Sequence, residues 1–145
     1  MKNLLFVLIL FSIGCTKPTS ECVKLDNNEA KQVIVDYYQA LSDRNFVAVK
    51  TISTPDFIIY DLGLVWNNDS LINVVKSMPE ATFTFEVTEF NFESDCNSAF
   101  LNYLNHGIFD INDTTRLEYH WIESGYVKKV GEELKLNFLH STEAK

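Results

Sequence analysis

A histidine, His140, and several carboxylates are the residues of this sequence best suited to proton transfer. An imidazole titrates near neutral pH and can therefore accept or donate a proton under physiological conditions. Asp56, Asp61 and Glu123 are the carboxylates nearest a predicted ligand pocket. One carboxylate in an apolar setting can act as a base when an acid such as tyrosine holds the resulting oxyanion. The spacing of these residues singles out no such arrangement, so the sequence assigns no catalytic residue.

Aromatic side chains in the same part of the chain predict a pocket with apolar walls and polar tips. The candidate lining residues are Tyr60, Trp66, Tyr119, Trp121, Phe138 and His140. Strand alternation places Leu136, Phe138 and His140 on one face of the last strand, and Tyr119 with Trp121 on one face of its partner. We expect the two faces to coincide around a ligand. The alternative is that these residues, His140 included, are plain core residues.

Several other chemistries are excluded by the motifs of the chain. The three histidines, His106, His120 and His140, form no HxH or HxxxH spacing, and there is no CxxC, so we predict no metal site. There is no G-x-S-x-G motif and no glycine-rich phosphate loop, and we predict no cofactor. The formal net charge of −8, without a basic stripe, argues against a nucleic-acid partner.

The N-terminal residues predict where in the cell the protein is located. Met1-Lys2-Asn3 is a short basic head, and the apolar run from Leu4 to Phe11 is too short to span a membrane. The run leads to Gly14-Cys15 and resembles the lipobox of bacterial lipoproteins, which implies a signal peptide over 1–14 and lipidation of Cys15. Thr16 after the cysteine favours the outer membrane of a bacterial envelope. The alternative is an ordinary signal peptide with an incidental cysteine.

Residues 15–27 are polar, contain a proline and show no periodicity, which predicts a tether. With Cys15 lipidated, Cys22 and Cys96 remain as a pair in an oxidising compartment, and a disulfide between them would attach the tether to the folded domain. The alternative is two isolated thiols, because sequence cannot show that the two Cα atoms lie close together.

Apolar periodicity predicts helices first and long strands afterwards. The predicted helices run from about Asn28 to Ser42, Asn45 to Ile52 and Ser70 to Met78. The predicted strands are Phe57–Tyr60, Leu64–Trp66, Ala81–Glu93, Ser98–Ile111 and a long hairpin from Thr115 to Thr142 that turns at Gly131. Phe83 and Phe85 alternate out of phase with Phe90 and Phe92, which predicts a β-bulge near Thr88-Glu89.

The element order and four short motifs resemble the nuclear transport factor 2-like superfamily, in particular its SnoaL-like and ketosteroid isomerase-like bacterial domains. The motifs are Thr54-Pro55-Asp56-Phe57, Tyr60-Asp61-Leu62-Gly63, Trp121-Ile122-Glu123-Ser124 and Leu139-His140-Ser141-Thr142. The resemblance implies an α+β domain over 28–145, with a curved, mostly antiparallel sheet wrapped around N-terminal helices. It also implies a cone with a pocket at its open end.

Three functions remain open for such a domain, because this fold serves many functions. The favoured one is binding of a small, mostly apolar molecule by an envelope-anchored lipoprotein. The alternatives are an enzyme of the same fold, performing proton transfer, dehydration or hydrolysis, and a non-catalytic interaction domain. Ser98–Ile111 is apolar on both faces, and we expect it, with Phe90 and Phe92, to leave apolar groups on the sheet face away from the helices. This exposed apolar surface predicts a homodimer packed sheet to sheet.

Overall fold

The computed structural model describes residues 22–145, so Cys15 and the predicted signal peptide lie outside the described residues. Within this range, three helices pack against one sheet of six strands. The helices are α1 (Asn27–Ser42), α2 (Phe46–Ile52) and α3 (Asn68–Ser77). The strands are β1 (Ser53–Asp61), β2 (Leu64–Trp66), β3 (Thr82–Ser94), β4 (Ser98–Asn112), β5 (Thr115–Val130) and β6 (Glu133–Glu143). None of the helices in residues 22–145 is long and apolar enough to span a membrane.

The sheet has the strand order β2-β1-β6-β5-β4-β3. Neighbouring strands are antiparallel except β1 and β6, which are parallel. The predicted α+β class with a curved, mostly antiparallel sheet is therefore confirmed. The predicted tight turn is also present, with Gly131 at a φ of +66° between β5 and β6, a conformation that glycine adopts without steric cost.

Helix α1 lies against the concave face of the sheet and supplies much of the core. Its N-terminus is capped by Asp26, whose side chain accepts a hydrogen bond from the Asn28 amide at 2.7 Å. Its buried stripe, spaced three and four residues apart as an amphipathic helix requires, consists of Ala30, Ile34, Tyr37, Tyr38, Ala40 and Leu41. The predicted boundaries of this helix agree with the structure to within one residue.

Helix α3 is attached at both ends by polar contacts. Near its N-terminus, Asn68 accepts a hydrogen bond from the Tyr37 hydroxyl at 3.2 Å and donates one to the Ser53 hydroxyl at 2.6 Å. At its C-terminus, the guanidinium of Arg44 donates to the carbonyls of Val75, at 2.9 Å, and Met78, at 2.6 Å. The Arg44 contacts satisfy carbonyls that a helix end leaves without partners. The contacts at both ends together hold α3 over the concave face.

A bulge bends β3 where the change of aromatic phase predicts one. Glu89 has a φ of +54°, and the pairing of β3 with β4 shifts between Thr88 and Asn91. The extra residue returns Phe90 and Phe92 to the concave side, where Phe90 stacks on Tyr103 with ring centroids 5.1 Å apart. The prediction that Phe90 and Phe92 face away from the helices is therefore wrong, because the bulge reverses the alternation.

A second bulge, in β6, was not predicted. Tyr126 pairs with Phe138 and Val127 with Leu136, which leaves Asn137 as the extra residue. The Asn137 side chain donates to the Thr54 hydroxyl at 2.9 Å on β1. Beyond this point Leu139 is 1 % exposed and lies in the core, so its neighbours Phe138 and His140 lie on the convex face. Their predicted placement on the face of Leu136 is wrong.

Cys22 and Cys96 form a disulfide, with their Cα atoms 5.3 Å apart. The backbone amide of Leu25 also donates to the Asp95 carbonyl at 2.8 Å. Both contacts hold the segment before α1, which is the end of the predicted tether, against the turn between β3 and β4.

Candidate functional site

A cavity of about 210 Å³ lies between the helices and the concave face of the sheet. Its walls are mostly apolar and aromatic, as is usual for a small-molecule site. The helices contribute Tyr37, Tyr38, Leu41, Leu71, Val74, Val75 and Met78. The strands contribute Ile59, Asp61, Trp66, Phe83, Phe85, Asn105, Phe109, Trp121, Glu123, Leu139 and Ser141.

The structure brings two of the six predicted pocket residues, Trp66 and Trp121, into this cavity. Tyr119 stacks on Trp121 with centroids 5.4 Å apart, on the same face but outside the cavity lining. The other three lie together on the convex face, where Tyr60 is 5.3 Å from the Phe138 ring and 6.4 Å from the His140 ring. The β6 bulge puts Phe138 and His140 on this face. Tyr60 lies there because Ile59, not Tyr60, pairs with Trp66 in the hairpin of β1 and β2.

A glycine on β4 makes room for Trp121. Gly107 lies opposite Tyr119 in the pairing of β4 with β5. A Cβ atom at this position would lie 2.5 Å from Cζ3 of Trp121 and 2.9 Å from Cε2 of Phe109, and both distances are too short for real contacts. The absence of a side chain at Gly107 therefore allows the indole ring to lie across the sheet and form part of the cavity wall.

Strand register aligns four polar residues in one row across the concave face. Asp61 of β1 pairs with Ser141 of β6, Ser141 pairs with Glu123 of β5, and Glu123 pairs with Tyr103 of β4. We call these four residues the polar row. Residues directly opposite in a sheet point to the same face, so a row of hydrogen-bonding groups crosses an otherwise apolar surface.

Glu123 is the centre of the polar row and is only 2 % exposed. Its Oε1 accepts a hydrogen bond from the Ser141 hydroxyl at 2.6 Å. Its Oε2 accepts one from the Tyr38 hydroxyl at 2.6 Å and another from Asn105 Nδ2 at 3.3 Å. Three donors from a helix and two strands therefore surround this carboxylate, as a buried polar group requires.

Burial raises the pKa of Glu123 above its ordinary value of 4.5, although the hydrogen bonds from Ser141 and Tyr38 act in the opposite direction. The pKa values of Tyr38 and Tyr103 are raised well above 10.0, first by burial and then by the nearby Glu123 carboxylate. Both phenols therefore keep their protons at neutral pH. The Tyr103 hydroxyl, buried beside this group, has no hydrogen-bond partner among the described residues.

Asp61, at the β1 end of the polar row, is half-buried and lines the cavity. Its Oδ1 is buried without a hydrogen-bond partner in residues 22–145, and so is Nε1 of Trp66 on the neighbouring strand. Burial raises the pKa of Asp61, the Leu62 amide opposes this shift, and the negative charge of Glu143 adds to it. An acceptor and a donor are thus both unsatisfied at this edge of the cavity.

Asp56, the third predicted carboxylate, lies outside the cavity on the exposed side of β1. It accepts a hydrogen bond from Asn137 Nδ2 at 3.2 Å and lies 3.6 Å from the Lys128 ammonium. Hydrogen bonds, above all from Thr54, lower its pKa. Of the three carboxylates named from sequence, the structure therefore places Asp61 and Glu123 in the cavity and excludes Asp56.

Sequence reasoning missed Tyr38, Tyr103, Asn105 and Ser141 as members of the site. Asn105 carried a usable signal, because an amide at an inward position of an apolar strand needs a buried partner. Ser141 carried none, since its inward position depends on the β6 bulge. No group of three or more His, Cys, Asp or Glu side chains among residues 22–145 could hold a metal ion. What the site offers is two carboxylates and protonated phenols in an apolar cavity.

Solved structures share this architecture closely enough to identify it. An NTF2-like protein from Cytophaga hutchinsonii superposes with a TM-score of 0.71 at 7 % identity, over 83 % of this chain and 100 % of that one. The fold is nuclear transport factor 2-like. A Nostoc punctiforme protein with a cystatin-like fold gives a TM-score of 0.68 at 10 % identity, over 82 % and 91 % of the two chains.

A proposed dehydratase of the NTF2-like family from Streptomyces avermitilis gives a TM-score of 0.69 at 10 % identity, over 81 % of this chain and 95 % of that one. No family model matches the sequence. No curated protein matches it either. The TM-scores establish the nuclear transport factor 2-like fold. Sequence identities this low say nothing about the chemistry, which must be argued from the cavity.

Replacing Glu123 by glutamine should remove a pH dependence of stability. Because the pKa of Glu123 is raised on folding, the unfolded chain loses this proton first as pH rises above 4.5. The free energy of unfolding should therefore fall between about pH 4.5 and the raised folded pKa, and then level off. Denaturant unfolding across this range should show a shallower fall in Glu123→Gln than in the wild type.

The matched control is Glu132→Gln, which changes an exposed glutamate in the turn between β5 and β6. It should retain the wild-type slope. A wild-type slope in Glu123→Gln would contradict the assignment of a raised pKa to this carboxylate.

Proposed function

We propose that this protein binds a small, mostly apolar molecule in the cavity beneath α3. The single observation that supports this most is the cavity itself, about 210 Å³ of space with aromatic walls and polar groups concentrated at the polar row. Apolar walls favour an apolar ligand through removal of its surface from water, and the few polar groups would fix its orientation.

A cavity filled by Phe85, Tyr103 and Phe138 would favour the alternative of a non-catalytic interaction domain. Phe85 lines the cavity without filling it, Tyr103 packs on Phe90, and Phe138 lies on the convex face. The space between the helices and the sheet therefore supports binding over an interaction domain with a solid core.

Ligand binding should be visible through intrinsic fluorescence, because Trp66 and Trp121 are the only two tryptophans of the chain and both line the cavity. Benzyl alcohol and cyclohexanone, titrated into the protein, should give a saturable change in tryptophan emission. Val74 lies on α3 at the cavity wall and is 38 % exposed. Val74→Phe should narrow the cavity and weaken binding about tenfold or more, equivalent to about 1.4 kcal/mol.

Val47→Phe is the matched control, since Val47 is 77 % exposed on α2 and does not line the cavity. It should bind as the wild type does. Equal weakening in both variants, or no saturable signal in the wild type, would contradict a binding function for the cavity.

A proton-transfer enzyme is the second candidate. It is favoured by a specific observation, the presence in one apolar cavity of Asp61, with its unpartnered oxygen, and of the hydrogen-bonded Tyr38–Glu123 pair. In this function Asp61 would take a proton from a carbon next to a carbonyl group. The indole N–H of Trp66 would donate a hydrogen bond to the oxyanion that forms. The dehydratase proposed among the structural neighbours has the same fold.

Proton transfer can be tested by solvent deuterium exchange into cyclohexanone, followed by NMR. The wild type should accelerate exchange, and Asp61→Asn should lose about 10²-fold or more of that acceleration, the usual contribution of a general base. Asp56→Asn, an exposed change on the same strand, should exchange as the wild type does. Exchange no faster than in buffer would reject this second function.

We propose further that the domain is anchored to the bacterial cell envelope, with the outer membrane favoured, through lipidated Cys15. The support is the Gly14-Cys15 pair after the apolar run from Leu4 to Phe11, together with the presence of a disulfide, which suits an oxidising compartment. A lipoprotein carries several acyl chains, which gives stable attachment.

Replacement of Cys15 by alanine should move the protein from the detergent phase to the aqueous phase in phase partitioning. The control is the double change Cys22→Ser and Cys96→Ser, which removes the other two cysteines and should leave partitioning unchanged. Detergent partitioning of Cys15→Ala equal to that of the wild type would contradict lipidation at this residue.

We also propose that two copies pack through the convex face of the sheet. One apolar row there is formed by Phe100, Tyr126, Phe138 and Ile58. Ile122 is 56 % exposed two rows further along this face, beyond a row that contains the polar residues Asn102 and Ser124. A two-fold axis in the plane of the sheet and perpendicular to the strands would bring these exposed apolar side chains of one copy against the same side chains of a second copy.

Sedimentation of a form lacking residues 1–15 should show a dimer that dissociates at lower concentration. Ile122→Lys should weaken this dimer about tenfold or more, because it places a charge at an exposed apolar position of the convex face. Val47→Lys, on exposed α2, should not. A wild type that remains monomeric at high micromolar concentration would contradict the proposal.

A further inference from the structure

The charge of the cavity is unbalanced. Its lining contains two carboxylates, Asp61 and Glu123, and none of the described lining residues is a lysine, an arginine or a histidine. Negative charge in an apolar cavity is costly unless a positive group or hydrogen-bond donors offset it. A ligand with a negative charge would increase this cost, whereas a ligand with a positive charge would reduce it.

The two carboxylates differ in what they can still bind. Glu123 already accepts hydrogen bonds from Ser141, Tyr38 and Asn105. Asp61 has a buried oxygen with no partner among the described residues. A positively charged N–H group would supply the missing donor to Asp61, and hydrogen bonds between ionised partners are the stronger ones.

The aromatic walls of the cavity favour the same kind of ligand. Trp66 and Trp121 line it, and the Phe109 ring lies 6.0 Å from the Trp121 ring. A cation over the face of an aromatic ring is attracted by the ring quadrupole, most strongly by tryptophan. The apolar part of the same molecule would pack against Phe83 and Phe85.

We infer that the ligand of this cavity is a small, mostly apolar amine, bound as its ammonium ion at Asp61 with its apolar part against the aromatic wall. This inference rests on the proposed binding function, because it specifies the ligand class of the same cavity. The N–H of Trp66 Nε1, which has no partner among the described residues, would donate a hydrogen bond to an oxygen of the ligand near its nitrogen. The net charge of −8 would attract such a cation from solution.

Three molecules of nearly equal size and shape test the charge directly. Phenethylamine, 2-phenylethanol and phenylacetate should be titrated separately at neutral pH and followed by tryptophan emission. The corresponding cyclohexyl compounds provide a second ring shape. The amine should bind about tenfold or more tightly than the alcohol, and the carboxylate should bind more weakly than both.

Asp61→Asn should reduce the affinity for the amine to about that for the alcohol. Saturable binding of the alcohol should persist, which would show that the cavity remains in the variant. Asp56→Asn, an exposed aspartate of the same strand, should keep the wild-type preference. If the alcohol or the carboxylate binds the wild type as tightly as the amine, the amine assignment is overturned and the binding function stands. If no compound binds, the binding function fails as well.

Discussion

The hydrogen bond from Tyr38 on α1 to Glu123 on β5 is the interaction on which the geometry of the cavity depends. Both groups are buried, and a buried carboxylate is tolerated only when donors reach it. This requirement fixes the rotation of α1 about its axis, because only one orientation directs Tyr38 at the sheet. The same orientation places Leu41 along the cavity wall, so satisfying one carboxylate also shapes the space beside it.

Two bulges give the sheet the curvature that this contact needs. The bulge at Glu89 turns Phe90 and Phe92 towards α1, and the bulge at Asn137 turns Leu139 and Ser141 inward. Each extra residue reverses the alternation of its strand and increases the local twist. Without the second bulge, Ser141 would lie on the convex face and Glu123 would lose one of its three donors.

The order of elements and the bulge in β3 could be predicted because both follow from local periodicity, and the fold class was implied by the resemblance of that order and four short motifs to the nuclear transport factor 2-like superfamily. The phase change between Phe85 and Phe90 is visible in the chain itself. The bulge in β6 leaves no such trace, since Phe138 and Leu139 are both apolar and either could face the core. The hydrogen bond made by the extra residue of this bulge, from Asn137 to Thr54, joins residues far apart in sequence. Local sequence patterns carry no information about such a contact. The errors for Phe138 and His140 follow from that one contact region, whereas the error for Tyr60 follows from the register of β1 with β2, in which Ile59 pairs with Trp66.

Local sequence pattern and long-range contacts also point to different carboxylates of the cavity. Trp121 and Glu123 are two residues apart and share a face, so sequence alone favours Glu123 as a site residue. The structure shows that its oxygens are occupied by Ser141, Tyr38 and Asn105, which suits a group that holds the fold in place. Asp61 lies at the end of β1 with an oxygen that no described residue satisfies. A protein that leaves a buried acceptor unpaired loses stability, and such a loss is tolerated where a ligand or a substrate supplies the partner. Function is therefore better sought at Asp61 than at the more deeply buried Glu123.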